Sequence, residues 1–143
     1  MYDLGACLGG DSQALQRVIL PTDGQAHLFD ALVAVNEKGS PGFLIDKRQA
    51  EARKFALCRG LFEYLMSEQG ALALISAARS ERQKRKRAFA TEFLAPAALL
   101  KEHLCGETLD EEEIDEVAET FGVSSSVIRH QRDNHHLARL TMA

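Results

Sequence analysis

No apolar run in the 143 residues of this chain approaches the roughly 18 that a membrane-spanning helix requires. The N-terminus also lacks the basic start and apolar core of a secretory signal peptide. The expected compartment is therefore the cytoplasm, with no membrane partner. Cysteine is scarce: Cys7, Cys58 and Cys105 are odd in number, widely spaced and without a C-x-x-C pair. That pattern argues against a disulfide framework and against a zinc ribbon, and the three read as reduced thiols. Internal repeats and low-complexity segments are missing, so solenoids and tails are not expected. A net charge of −4 gives no global pull toward nucleic acid. What remains, at 45% hydrophobic and 27% charged residues, has the composition of one ordinary globular domain with a real core.

Along the chain, residues 1–17 carry Gly5, Gly9 and Gly10 with little apolar periodicity before Leu15. They read as a loose arm, or as the remnant of a larger upstream region, ahead of a single domain over 18–143. Val18-Ile19-Leu20 suits a strand. Two β-rich runs, 29–35 and 43–45, flank the turn-rich Asn36-Glu37-Lys38-Gly39-Ser40-Pro41-Gly42, which predicts a hairpin. Asp46 is placed to cap the long helix that follows, whose apolar positions Ala52, Phe55, Ala56, Leu61 and Leu65 recur at helical spacing until about Gly70. Residues 71–78 fit either a strand at 72–75 or a short helix. A helix over 80–93 must stop at Pro96, and a short one over 97–104 is closed by Gly106. The last part predicts helices over 110–121 and 125–134 joined by Gly122-Val123-Ser124. A small Ala118, a glycine four positions on, a hydroxyl cap at Ser124 and the apolar pair Val127-Ile128 give it helix-turn-helix character.

Three blocks carry a family resemblance. Arg53-Lys54-Phe55-Ala56-Leu57-Cys58 resembles the basic pair and F-T-L-A that precede H-E-L-G-H in the ImmA/IrrE regulatory metallopeptidases. The stretch from Ala88 through Phe89, Glu92 and Phe93 to Pro96 is similar to that family's F-A-A-E-L-L-M-P. Val117-Ala118-Glu119-Thr120-Phe121-Gly122-Val123-Ser124 is similar to its L-A-x-x-F-G-V-S. The blocks occur in the family's order over residues 27–138. Such a resemblance implies a zincin-like fold, a zinc cofactor and cleavage of helix-turn-helix repressors.

The motif positions themselves read otherwise. In H-E-x-x-H, two imidazoles one turn apart bind one zinc ion while the glutamate polarises its water. Here those positions hold Arg59, Gly60 and Glu63. A guanidinium has no lone pair to give at neutral pH, and glycine has no base. The family's third ligand falls on Gln83, a poor zinc donor, and Glu81 two residues earlier is turned by about 200° around a helix. The expectation is a fossil site closed by an Arg59–Glu63 ion pair. The alternatives are an ordinary surface pair, or a rebuilt zinc site using Glu63, Glu81 or a nearby Cys or His. Cys58, on an apolar helix, reads as core more readily than as a nucleophile.

Arg79, Arg82, Lys84, Arg85, Lys86 and Arg87 place six cations within nine residues. On a helix they wrap around the cylinder, giving a solvated face or a surface for phosphate or an acidic partner, and eight carboxylates between Glu107 and Glu119 could neutralise them. Aromatics that would stack on single-stranded bases are not interleaved. Arg129, His130, Gln131 and Arg132 could reach a DNA groove, but the acidic helix before them would repel phosphates, so this element reads as packing. His103, Cys105, His130, His135 and His136 match no zinc signature.

These readings predict an α+β domain of zincin-like layout: a small N-terminal sheet with a hairpin, packed on several helices, and a helix-turn-helix-like C-terminal part. The expected function is that of a catalytically inactive regulatory module without cofactor. It would bind a protein partner such as a helix-turn-helix repressor, with Arg59, Glu63 and Gln83 in the old cleft and the peptide added as a strand along the hairpin. A divergent metallopeptidase and a nucleic-acid-binding module using residues 79–87 are the alternatives.

Overall fold

The computed structural model describes residues 19–21, 29–104, 108–137 and 139–140. The arm expected over 1–17, Cys7, Cys105 and Gly106 lie outside them. The architecture is mixed α+β. Strands β1 (Ile19–Pro21), β2 (Ala31–Val35) and β3 (Pro41–Ile45) precede helix α1 (Ala50–Met66). Strand β4 (Leu72–Ile75), helices α2 (Glu81–Leu94) and α3 (Ala97–His103), and strand β5 (Thr108–Leu109) follow. Helices α4 (Glu111–Phe121) and α5 (Ser125–His135) and strand β6 (Arg139–Leu140) complete the order.

The expected hairpin is β2–β3, closed where the Asn36 side chain accepts from the amides of Lys38 and Ser40 and Gly39 turns at φ 79°. The sheet order is β1-β3-β2-β4. β2 pairs antiparallel with both β3 and β4, while β1 lies parallel to β3 with Ile19 opposite Phe43. The choice left open over 71–78 is thereby resolved in favour of the strand at 72–75, because Leu72 to Ile75 find their backbone partners on β2. Among the described residues β1 and β4 flank the hairpin, so β2 and β3 are inner strands and the edge strand expected along the hairpin would have to join β1 or β4 instead.

Alternation sends Ala31, Val33, Val35, Phe43, Ile45 and Ile75 to one face, which α1 covers with Ala56 and Leu57. Because α2 as well as the sheet packs against α1, six consecutive residues from Ala56 to Leu61 are buried. At Gly60 the helix approaches the sheet so closely that a Cβ would stand 3.1 Å from both Phe43 Cδ1 and Val33 Cγ2. A second core gathers Leu100, Ile114, Ala118, Val127 and Ile128 from α3, α4 and α5, with Phe55 of α1 and Leu94 of α2 against it.

Two helix starts differ from expectation. Asp46 does not cap α1: the helix begins at Ala50 with Gln49 at its N-cap, and Asp46 is buried at the end of β3 with its amide donating to the Asp30 carbonyl at 3.1 Å. Extended pairing holds the chain past the capping residue. Ser124 occupies the N-cap position of α5, yet its hydroxyl lies 2.8 Å from that of Ser126 instead of capping an amide. Elsewhere, Ser80 caps α2, and Asp110 with Glu113 forms a capping box on α4. Gly122 ends α4 at φ 61°, where its carbonyl accepts from Lys54 Nζ at 2.7 Å and ties α1 to the α4–α5 turn.

Candidate functional site

The residues singled out by the motif converge in a buried polar layer between α1, α2 and the sheet. Arg59 and Glu63 stand one turn apart on α1 and are 4% and 1% exposed, which excludes an ordinary surface pair. They do not pair with each other among the interactions of the described residues, so the expected closing ion pair is corrected. Arg59 Nη1 donates to Asp30 Oδ2 at 2.6 Å, and its Nη2 donates to Gln83 Oε1 at 2.9 Å and to the Ser76 carbonyl. Lys47 Nζ takes the other oxygen of Asp30 at 2.6 Å. Arg59 Nε is buried without a partner among the described residues.

Glu63 faces α2 instead. Its Oε2 is 2.6 Å from Lys86 Nζ, and Arg82 pairs with its Oε1. Lys86, 1% exposed, also donates to the Leu74 carbonyl at 3.3 Å, and Gln83 Nε2 donates to the same oxygen at 3.0 Å. α2 meets both charged residues of α1, through Gln83 at Arg59 and through Arg82 and Lys86 at Glu63, while only Arg59 also reaches Asp30 and the Ser76 carbonyl. Two charge clusters result, Lys47–Asp30–Arg59 and Arg82–Glu63–Lys86, with Gln83 bridging Arg59 to β4.

Sequence reasoning brought Arg59 and Gln83 to one place, and they touch. It missed Asp30, Lys47 and the Ser76 carbonyl, although a lone aspartate beside an apolar strand run was a readable signal. It also missed that Lys86 is a buried member of the basic run. The rest of that run divides. Arg79 and Arg85 are exposed, Lys84 pairs with Glu81 at 2.6 Å, and Arg87 Nη1 donates to the Ala78 carbonyl at 3.1 Å. Neutralisation by the acidic helix α4 is not what the structure shows: Arg82 and Lys86 use Glu63, while the described carboxylates of α4 engage Arg129 through Glu111 and the Ser125 hydroxyl through Asp115. Gln131 is buried and donates to Glu92 and to the Ala95 carbonyl, both at 2.7 Å, and Arg132 pairs with Asp133.

The electrostatics favour the charged form of both carboxyls. Burial pushes the Glu63 carboxyl upward, but hydrogen bonds and charge from Lys86 and Arg82 outweigh it and hold it below its ordinary 4.5. Asp30 is likewise raised by burial and brought below 3.8 by Lys47 and Arg59. Burial lowers the Arg59 guanidinium, with Asp30 opposing. Burial also pushes the Cys58 thiol up to about 12, which keeps it protonated and unreactive at neutral pH.

The donor set does not fit the zinc ion that the family resemblance implies. A cation stands at the first ligand position, Gln83 is engaged through both side-chain ends, Glu63 is held by two cations, and Gly60 offers no base at the position between them. Glu81 is exposed on α2 and pairs with Lys84. Among the described residues no three His, Cys, Asp or Glu side chains come together as a metal-binding group. No described helix is long and apolar enough to cross a membrane. Compared with known proteins, the chain matches no family model and no curated sequence.

Both clusters make stability depend on pH with a definite sign. Carboxyls depressed on folding bind fewer protons in the folded state, so their contribution is complete above their ordinary values of 4.5 and 3.8 and is lost as pH falls toward the lower folded values. Urea midpoints should therefore be flat near neutrality and drop below that range. Replacing Glu63 by Leu together with Lys86 by Met should flatten the drop, and an unchanged acid limb in that variant would assign it to other carboxyls.

Proposed function

We propose that this chain is a catalytically inactive, ImmA/IrrE-like domain of zincin-like layout that serves as a regulatory binding module for a protein partner, a helix-turn-helix repressor being the class the resemblance suggests. The observation that carries the reading is the guanidinium of Arg59 lodged between Asp30, the Ser76 carbonyl and Gln83. Two positions that would hold metal ligands in a working relative are in contact here, and their chemistry is that of an internal salt-bridge network. That point offers a nucleophilic water neither a set of metal-ligating side chains nor a general base among the described residues. Arg59, Glu63 and Gln83 act as positioning residues that fix α1, α2 and β4, and the partner surface lies elsewhere on the same frame.

The test is metal content and hydrolysis together. Protein purified without chelator and without a histidine tag should carry far less than one equivalent of zinc, as should an Arg59→Ala, Glu63→Ala variant. Neither should cleave a repressor substrate when zinc is added. Near-stoichiometric zinc that disappears in the variant would overturn the reading and replace it with a rebuilt metallopeptidase site.

A further inference from the structure

Three of the seven phenylalanines, Phe62 of α1 and Phe89 and Phe93 of α2, belong to neither apolar core. They pack on one another instead, with ring centroids 5.3 Å apart for Phe62 and Phe89 and 5.6 Å apart for Phe89 and Phe93. Phe93 is 38% exposed, and Met66, one turn past Phe62 on the same stripe of α1, is 72% exposed. Scattered apolar side chains at a surface are ordinary, whereas four aligned across two helices form a patch of the kind that marks an interaction surface. On α2 the same stripe begins with Arg85, four residues before Phe89, and the row from Arg85 to Phe93 is about 12 Å long.

The uncompensated charge beside this row is positive. Arg85 is exposed and has no partner among the described residues. Arg82, largely exposed, shares Glu63 with Lys86, so one carboxylate answers two cations and a positive charge is left over. The neighbouring carboxylates are directed elsewhere: Glu81 pairs with Lys84, Glu92 accepts from Gln131 of α5, and Glu68 stands past the end of α1. An aromatic row edged by such arginines is complementary to a segment that brings carboxylates beside large apolar side chains. A second copy of this chain fits less well, because twofold pairing of the patch with itself would gather both sets of arginines in one interface. Single-stranded nucleic acid also fits less well, because the rings are stacked against each other and Met66 offers no stacking plane. Resting on the inactive-module reading, we infer that this aromatic row and its arginines are where the protein partner docks, through an acidic segment that carries large apolar side chains.

The probe is a fluorescein-labelled peptide of about twelve residues in which Glu and Asp precede Leu, Phe and Leu. One companion has Lys at the acidic positions, and another has Ser at the apolar ones. By fluorescence anisotropy at low salt, the acidic apolar peptide should bind at least about tenfold more tightly than either companion, and added salt should erode its lead over the Lys peptide. Arg85→Glu and Met66→Asp, both at exposed positions, should each weaken binding at least about tenfold while the far-ultraviolet spectrum stays unchanged. Failure of the acidic apolar peptide to bind, or binding indifferent to both substitutions, would overturn the inference. Tighter binding of an oligothymidylate, lost in the same variants, would overturn it in favour of nucleic acid, and a dimer that Met66→Asp dissociates would overturn it in favour of a second copy. If the peptide fails while the protein remains metal-free and non-hydrolytic, the docking assignment falls and the inactive-module reading stands. Zinc-dependent cleavage would remove that reading and leave the surface to be judged by the peptides alone.

Discussion

Replacing Glu63 by Leu should cost about 3–5 kcal/mol of folding stability, a large part of what a domain of this size possesses. The effect comes from what is left behind. Lys86, 1% exposed, would keep only the Leu74 carbonyl at 3.3 Å as a described partner, and an ammonium buried without its counter-ion bears most of its desolvation cost. Lys86→Met should cost less, because Arg82, itself largely exposed, still pairs with Glu63. The double substitution Glu63→Leu, Lys86→Met should recover most of the loss, since an apolar pair of similar volume avoids burying either charge. Urea unfolding of the four proteins gives the coupling directly. A double variant as unstable as Glu63→Leu alone would mean that the pair is needed to hold α1 on α2, and not merely compensated.

The second large effect is expected at Gly60. Gly60→Glu should unfold the protein or lower its stability by more than about 4 kcal/mol. The Cβ alone would meet Phe43 Cδ1 and Val33 Cγ2, each at 3.1 Å, and those residues are 4% and 1% exposed in the face of the sheet. A carboxylate beyond that Cβ would lie between helix and sheet, with no described cation placed to receive it. Gly60→Ala should be far milder, because about 1 kcal/mol of helix propensity offsets the tight contact. Circular dichroism and thermal unfolding distinguish the cases. A folded Gly60→Glu protein of near-parental stability would show that α1 can lift from the sheet, and would reopen the metallopeptidase alternative. The absence of a side chain at Gly60 is thus what lets α1 seat against the sheet.

Much of the secondary structure was legible from local chemistry. The Asn36 to Gly42 turn set the hairpin, the helices expected over 80–93 and 110–121 are found at Glu81–Leu94 and Glu111–Phe121, and Gly122 marked the end of α4, because turns and helical periodicity are settled by near neighbours in the chain. Residues 71–78 were open between strand and helix since a short apolar run has no distinguishing period, and only pairing with β2 decided. Asp46 had the right chemistry for a cap. It lost that place to extended backbone pairing beyond β3.

The polar layer divides in the same way. The sequence by itself determined that the motif positions carry no zinc ligands of the usual kind, because residue identity alone decides whether a side chain has a lone pair or a base to offer. It also determined that Arg59 and Glu63 share one helix face. Only the tertiary structure decided whom they meet: Asp30, the Ser76 carbonyl and Gln83 for Arg59, and Lys86 and Arg82 for Glu63. The physical reason is that a charge in a buried layer is satisfied by whatever the packing of separate elements brings within about 3 Å. Helical periodicity fixes direction from the axis, and the identity of the partner across the gap depends on residues 17 to 29 positions away in the chain.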